Sequence, residues 1–339
     1  MNILSFTTQS TAAMASSLAL LDCGIDLDVA NLVIIGLYFV LFIPALLLNI
    51  MAAWISWKLK TKSSFIVYLK NLAAADLLMT LIFPLRAADW LPGAPQGLQA
   101  YNCQFGSVLF YLCMYVSIVL MGIISLDRFF KIVQPGGKLL GQSALFGKVV
   151  SAIVWIVILS TTALPTMVLT NEKPKYNAAA ELCMNMKNDL GKQYHTVVTI
   201  FCNVVFFVVL IVIGFCYMCI AKRVIRSYRN SRSTNVKRKK PIKSRVFIVL
   251  VVFLVCFAPY HITRFFYVPQ QVSNKINCQW ASLRVAKDIT LWLATTNVCL
   301  DPLIYFLLCR GFREKLYDLK IFGHWFSMTT QQSREDTSF

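Results

Sequence analysis

Seven separate runs, near residues 30–57, 65–88, 103–127, 147–170, 195–221, 246–268 and 285–308, are rich in apolar side chains and poor in charge. A helix rises about 1.5 Å per residue, so each run spans about 30 Å of hydrocarbon with its backbone hydrogen bonds made internally. Barrel strands are excluded, because they need short segments of alternating polarity rather than continuous apolar stretches. With 58% hydrophobic and 14% charged residues, the chain is too apolar for a soluble globule. The sequence predicts an all-α membrane protein built as a seven-transmembrane helix bundle over residues 29–309.

A net charge of +18 would suit a nucleic-acid binder, but the placement of the charges argues otherwise. Eleven Lys and Arg, and no acid, lie between Lys222 and Arg245. The nine basic residues on the opposite side of the spans are offset by eight acids. The positive-inside rule then puts the N-terminus, residues 1–28, outside the cell and the tail, 322–339, in the cytoplasm. The Lys222–Arg245 polycation faces anionic lipid, and no nucleic-acid partner is expected. Residues 310–321 alternate apolar and charged positions, as a short interfacial helix after the seventh span would. The outer face as a whole carries little field, so an anionic ligand must be drawn by a local cluster.

The sixth run offers one. It contains 18 residues without Lys, Arg, Asp or Glu, Val246 to Thr263, yet holds Pro259 and His261 and is followed at once by Arg264. Proline removes a backbone donor and clashes with the preceding turn, which predicts a bend near Cys256 and Phe257. Tyr260 and Arg264 fall on one helix face with His261 beside them. Arg264 lies about 30 Å from the basic end at Lys243–Arg245, at the outer membrane surface. Lys287 at the outer end of the seventh run and Lys187 in the loop above add two cations suited to a diphosphate. Tyr111 and Tyr115, one turn apart in the third run, provide an aromatic face for a base.

Asn49, Asp76, Asn297 and Asp301 fall inside spans. Carboxylates at that depth are costly unless they meet a cation or a wet cavity. Asp76 and Asp301 read as a shared hydrated ion site, with Ser117 and Asn297 completing an oxygen shell. Of 11 cysteines, four (Cys23, Cys103, Cys183 and Cys278) lie on the oxidising side, which leaves three possible pairings open. No catalytic constellation and no metal-ligand spacing is present, so neither an enzyme nor a cofactor is expected, apart from an allosteric sodium ion.

In order along the chain stand Asn49, Leu72-Ala-Ala-Ala-Asp-Leu77, Cys103 with Cys183, Asp127-Arg128-Phe129, Trp155, Cys256-Phe-Ala-Pro259 and Asp301-Pro-Leu-Ile-Tyr305. This ordered set resembles the rhodopsin-class G-protein-coupled receptors over nearly the whole chain. Within that class, Phe110-Tyr-Leu-Cys-Met-Tyr-Val-Ser117, Leu190-Gly-Lys-Gln-Tyr-His195, the Cys256-to-Arg264 segment and Lys287-Asp-Ile-Thr-Leu291 look like the purinergic nucleotide receptors. The nearest subgroup recognises ADP and UDP-sugars through inhibitory G proteins. The resemblance implies Cys103–Cys183 and Cys23–Cys278 bridges. It implies ligand roles for Tyr111, Tyr115, Lys187, His195, His261, Arg264, Tyr267 and Lys287, and G-protein coupling through Asp127, Arg128 and Tyr305; Tyr260 joins the candidate ligand set because it shares a helix face with Arg264. Thr166 and Thr199 stand where the subgroup has ligand-touching asparagines, so they join the candidate set as departures that bear on which base or sugar is bound.

The expected function is therefore a multi-pass plasma-membrane receptor for an extracellular nucleotide diphosphate, ADP first, acting on an inhibitory G protein, with arrestin and receptor kinases as further partners. A UDP-sugar receptor and a lysophospholipid receptor are the alternatives within the fold. An anion transporter or channel is the alternative of another class, and the lack of an internal repeat weighs against it.

Overall fold

The computed structural model describes residues 24–61, 63–133, 143–173, 182–230, 240–273 and 277–317. Seven helices long and apolar enough to cross a membrane follow one another. They are α1 (Leu27–Lys58), α2 (Ser64–Asp89), α3 (Gln96–Val133), α4 (Ala144–Leu169), α5 (Asp189–Asn230), α6 (Lys240–Val272) and α7 (Cys278–Phe306). A short helix, α8 (Arg310–Tyr317), follows and rests on α7 and α1. Its Phe312 is buried against Tyr305, and Arg313 donates to the Phe306 carbonyl at 2.9 Å. The expected helix over 310–321 is thus present through Tyr317, while 322–339 lies outside the described residues. Helices overrun the apolar runs at several ends; α5 begins at Asp189 and α1 at Leu27, inside the expected N-terminal segment. Polar residues extend a helix once its core is nucleated, and Asp26 caps α1 by accepting from the Asp28 and Val29 N–H groups at 2.9 and 3.1 Å.

The bundle closes around α3, its most enclosed helix. Phe110, Phe206, Phe253, Phe257 and Tyr260 are at most 1% exposed, whereas Val40, Leu47, Ile153, Ile211 and Phe265 face outward, as a lipid-facing surface requires. Prolines inside the helices leave carbonyls without a donor four residues back, and neighbouring helices supply replacements. Pro302 releases the Val298 carbonyl, which accepts from Asn49 Nδ2 at 2.8 Å. Pro165 releases the Thr161 carbonyl, which accepts from the Tyr194 hydroxyl at 2.7 Å. The turn before Pro165, Leu159–Ala163, opens into a π-helix, a local widening that relieves crowding ahead of a proline.

At one end, Cys103 is bonded to Cys183 and ties the start of α3 to the segment before α5. Cys278 is also disulfide-bonded; Cys23, its expected partner, lies outside the described residues. Mild reduction should free the Leu182–Asn188 segment before the helices open, because the bridges lie at the helix ends while each helix satisfies its own backbone. Hydrogen exchange under graded reductant checks this: protection is lost first in that segment, and simultaneous loss across α3 would contradict it.

Candidate functional site

The disulfide-bearing end of the bundle holds a cavity of about 430 Å³ walled by α1 to α7 and the segment around Cys183. Tyr111, Tyr115, Thr166, Lys187, His195, Tyr260, Arg264, Tyr267 and Lys287 all line it. Thr199 and His261 stand behind the wall, 3% and 0% exposed.

Arg264 organises the deep side. It is 7% exposed, donates from Nη1 to the Tyr115 hydroxyl at 2.9 Å and from Nη2 to Thr199 Oγ1 at 3.2 Å, and lies 5.1 Å from the Tyr111 ring centre. The Tyr115 hydroxyl is shared with His261 Nε2 at 3.3 Å. His261 Nδ1 sits 2.9 Å from the Phe257 carbonyl, which only accepts, so Nδ1 carries a proton. In the neutral ring Nε2 then accepts from Tyr115, whose oxygen accepts from Arg264. The imidazole also stacks on Phe206, centroids 3.9 Å apart. A contact made at Arg264 is therefore linked through α3 to the helix turn carrying Pro259.

Lys187 closes the cavity from the loop side. It is 7% exposed and donates to Thr170 Oγ1 at 3.2 Å. Burial, aided by the charge of Arg264, lowers its pKa to about 8. Lys287 is ion-paired with Asp288, and its ammonium lies 5.1 Å over the Tyr267 ring.

Two cations that line this cavity, Arg86 and Arg284, were not nominated from the sequence. Arg86 near the end of α2 is 6% exposed, donates to Ser107 Oγ at 3.2 Å and packs 4.4 Å over the Phe110 ring. Its buried Nε has no hydrogen-bond partner among the described residues. A lone arginine inside an apolar run was the available signal. Asp28, Asp89 and Asp288 line the same cavity, so its field is mixed rather than uniformly positive.

Two further clusters lie away from the cavity. Asp76, Ser117, Asn297, Asp301 and Tyr305 are at most 1% exposed. Ser117 Oγ donates to Asp76 Oδ1 at 3.1 Å, the Tyr305 hydroxyl to Asp76 Oδ2 at 3.0 Å, and Asn297 Nδ2 to Asp301 Oδ2 at 2.8 Å. Asn297 Oδ1 and Asp301 Oδ1 are buried with no donor among the described residues, an oxygen set that fits a hard cation. At the opposite end from the disulfide, Asp127 accepts from Ser64 Oγ at 2.9 Å, from Arg128 Nη2 at 2.7 Å and from Lys131 Nζ at 2.9 Å. The Arg128 guanidinium also lies 3.6 Å over the Phe65 ring.

Residues 49–305 match the family model of the 7 transmembrane receptor (rhodopsin family). Purinoceptor 13 of Homo sapiens is 41% identical over 295 residues, covering 87% of this chain and 83% of that protein. Purinoceptor 14 of Bos taurus is 38% identical over 296 residues, 87% of each chain. G-protein coupled receptor 87 of Mus musculus is 39% identical over 285 residues, 83% of this chain and 78% of that one. Seven spans together with these relatives make the protein a multi-pass receptor of the plasma membrane and not an enzyme. The chain belongs to the rhodopsin family of seven-transmembrane receptors, among the purinoceptors.

Proposed function

We propose that this receptor binds an extracellular nucleoside diphosphate, ADP before UDP-sugars, and activates an inhibitory G protein. The observation that carries the reading is the convergence of Arg86, Lys187, Arg264 and Lys287 on one cavity that also presents the Tyr111 ring. A diphosphate brings two to three negative charges and matches guanidinium donors in pairs, and the aromatic ring suits a base. The acids at the α1, α2 and α7 side, Asp28, Asp89 and Asp288, would accept sugar hydroxyls and favour UDP-sugars as the second reading. Asp127, Arg128 and Tyr305 are the residues assigned to G-protein coupling, with arrestin and receptor kinases acting at the same face. Sodium at Asp76, Ser117, Asn297 and Asp301 is assigned as an allosteric ligand.

The test is inhibitory-G-protein activation in cells expressing the chain, titrated with ADP, UDP-glucose, UDP and lysophosphatidic acid under nucleotidase controls. Nucleotide potency well above that of the lipid supports the reading, and a response to the lipid alone overturns it.

The state of Lys187 gives a pH signature. Its pKa of about 8 in the free protein lies below the ordinary lysine value, so the ammonium is present at pH 7 and largely lost at pH 9. A bound phosphate restores the proton, and affinity falls as pH rises through 8. Diphosphate potency should drop several-fold, up to about tenfold, between pH 7 and pH 9. Lys187→Arg should flatten that profile, and equally steep profiles for both would remove Lys187 from the phosphate site.

A further inference from the structure

At the end of the bundle opposite the disulfide, α4 starts directly against α2. A Cβ on Gly147 would lie 2.7 Å from the Ser64 Cα, so glycine permits this approach, and the next residue, Lys148, stands beside the seam. Lys70, in the second turn of α2, reaches back toward the end of α1. Its Nζ donates to the Thr61 hydroxyl at 2.6 Å and to the Leu59 carbonyl at 3.1 Å. The charges of Lys70 and Lys148 act on each other, so both ammonium groups belong to one seam among α1, α2 and α4. Lys60, between the two residues that Lys70 binds, is exposed and adds a third cation.

None of the three is ion-paired among the described residues. Asp127, which accepts from Ser64, is already held by Arg128 and Lys131. An ammonium has three donors, and Lys70 spends two of them on neutral oxygens. Like charges drawn together without a counter-charge repel each other, a cost that a bound anion removes. The rim selects the kind of anion. Trp57 is 83% and Leu145 72% exposed, and Phe146 and Val149 also face outward, so the cations border the lipid-facing surface. An anion carried on acyl chains uses both the cations and that border, whereas a soluble polyphosphate uses the cations alone. A phosphomonoester carries close to two negative charges at pH 7, which suits a lysine cluster better than the single net charge of phosphatidylserine.

We propose that Lys60, Lys70 and Lys148 form a site for the phosphomonoester headgroup of an anionic membrane lipid, apart from the ligand cavity and from the Lys222–Arg245 polycation. The experiment counts lipids retained by the purified full chain in native mass spectrometry, using phosphatidylinositol 4,5-bisphosphate or phosphatidylserine, with soluble inositol 1,4,5-trisphosphate as competitor. The bisphosphate lipid should be retained over phosphatidylserine by about fivefold or more. Each lysine near a membrane surface is worth about fivefold in affinity. Lys148→Gln should therefore weaken retention about fivefold, Lys60→Gln/Lys148→Gln about 25-fold, and Lys148→Arg should keep it. Arg223→Gln/Arg226→Gln removes as much charge from exposed positions on α5 and should have little effect. Equal losses for the two double variants, or equal retention of both lipids, would mean diffuse attraction and overturn the site. Displacement by inositol trisphosphate at equal concentration would overturn the lipid as its occupant. The variants spare Lys70, whose contacts hold the α1–α2 turn, and change only exposed side chains.

Discussion

Arg264→Ala is expected to lower nucleoside-diphosphate potency by about 10- to 100-fold at equal surface expression, the loss that follows from removing a buried charge-assisted contact of about 1.5–3 kcal/mol. A guanidinium carries five N–H donors, and two are committed to Tyr115 and Thr199. The remainder are available to phosphate oxygens without dismantling the frame that holds the side chain. Arg264→Lys should recover only part of the loss, because a single ammonium cannot reproduce a planar fork shared among α3, α5 and a ligand. Lys287 is expected to behave differently from Arg264. Its ammonium is already paired with Asp288, so the pair adds little net charge, and Lys287→Ala harms binding mainly by leaving Asp288 to repel the phosphates. The double variant Lys287→Ala/Asp288→Asn should therefore bind better than Lys287→Ala alone. Unchanged potency for Arg264→Ala, or a double variant no better than the single one, would place the diphosphate elsewhere in the cavity.

That separation of two cations which look equivalent in the chain shows where the sequence stops being informative. The seven spans were legible because a membrane permits few backbone solutions, and apolar runs such as 195–221 advertise themselves by length alone. Nine of the eleven candidate ligand residues line one cavity, since they cluster at the disulfide-bearing end of one bundle and share the space there. What stayed hidden was pairing. The contact of Lys287 with its neighbour Asp288 depends on rotamers, and the depth of Arg86 depends on how α2 packs against α3; in the sequence Arg86 counted only as a lone outer charge. Thr199 shows the same limit. Its position invited a role in reading the base, yet its oxygen is held by Arg264, because a short side chain on α5 meets whatever α6 projects toward it. The π-helical turn at Leu159–Ala163 was equally invisible, as no residue type signals it, although Pro165 marks the strain it relieves.

Asp76→Asn is expected to abolish sodium sensitivity of agonist binding. In the unmodified chain, replacing an impermeant cation with about 100 mM sodium at constant ionic strength should lower agonist affinity by about fivefold or more, the lower range of an allosteric coupling. Asp76 and Asp301 are both 0% exposed and interact with each other, and two carboxylates at that depth are tolerable together only when a proton or cation offsets them. Sodium would meet that need, and the oxygens of Asn297 and Asp301 that have no donor among the described residues would give it a seat. An ion enclosed there favours the packing that encloses it, so it opposes any ligand that prefers another packing, and the agonist must weaken sodium by the same factor. Asp301→Asn should reduce the effect without removing it, because Asp76, Ser117 and Asn297 remain. Tyr305→Phe separates the ion from the helix that reports it. The tyrosine hydroxyl donates to Asp76 Oδ2 and supplies no counter-charge, so its loss should leave sodium binding in place while changing how strongly the C-terminal half of α7 responds. Agonist affinity indifferent to sodium in the unmodified chain would mean that the two carboxyls share a proton instead, and a matched pH titration of agonist affinity would then show the dependence that sodium does not.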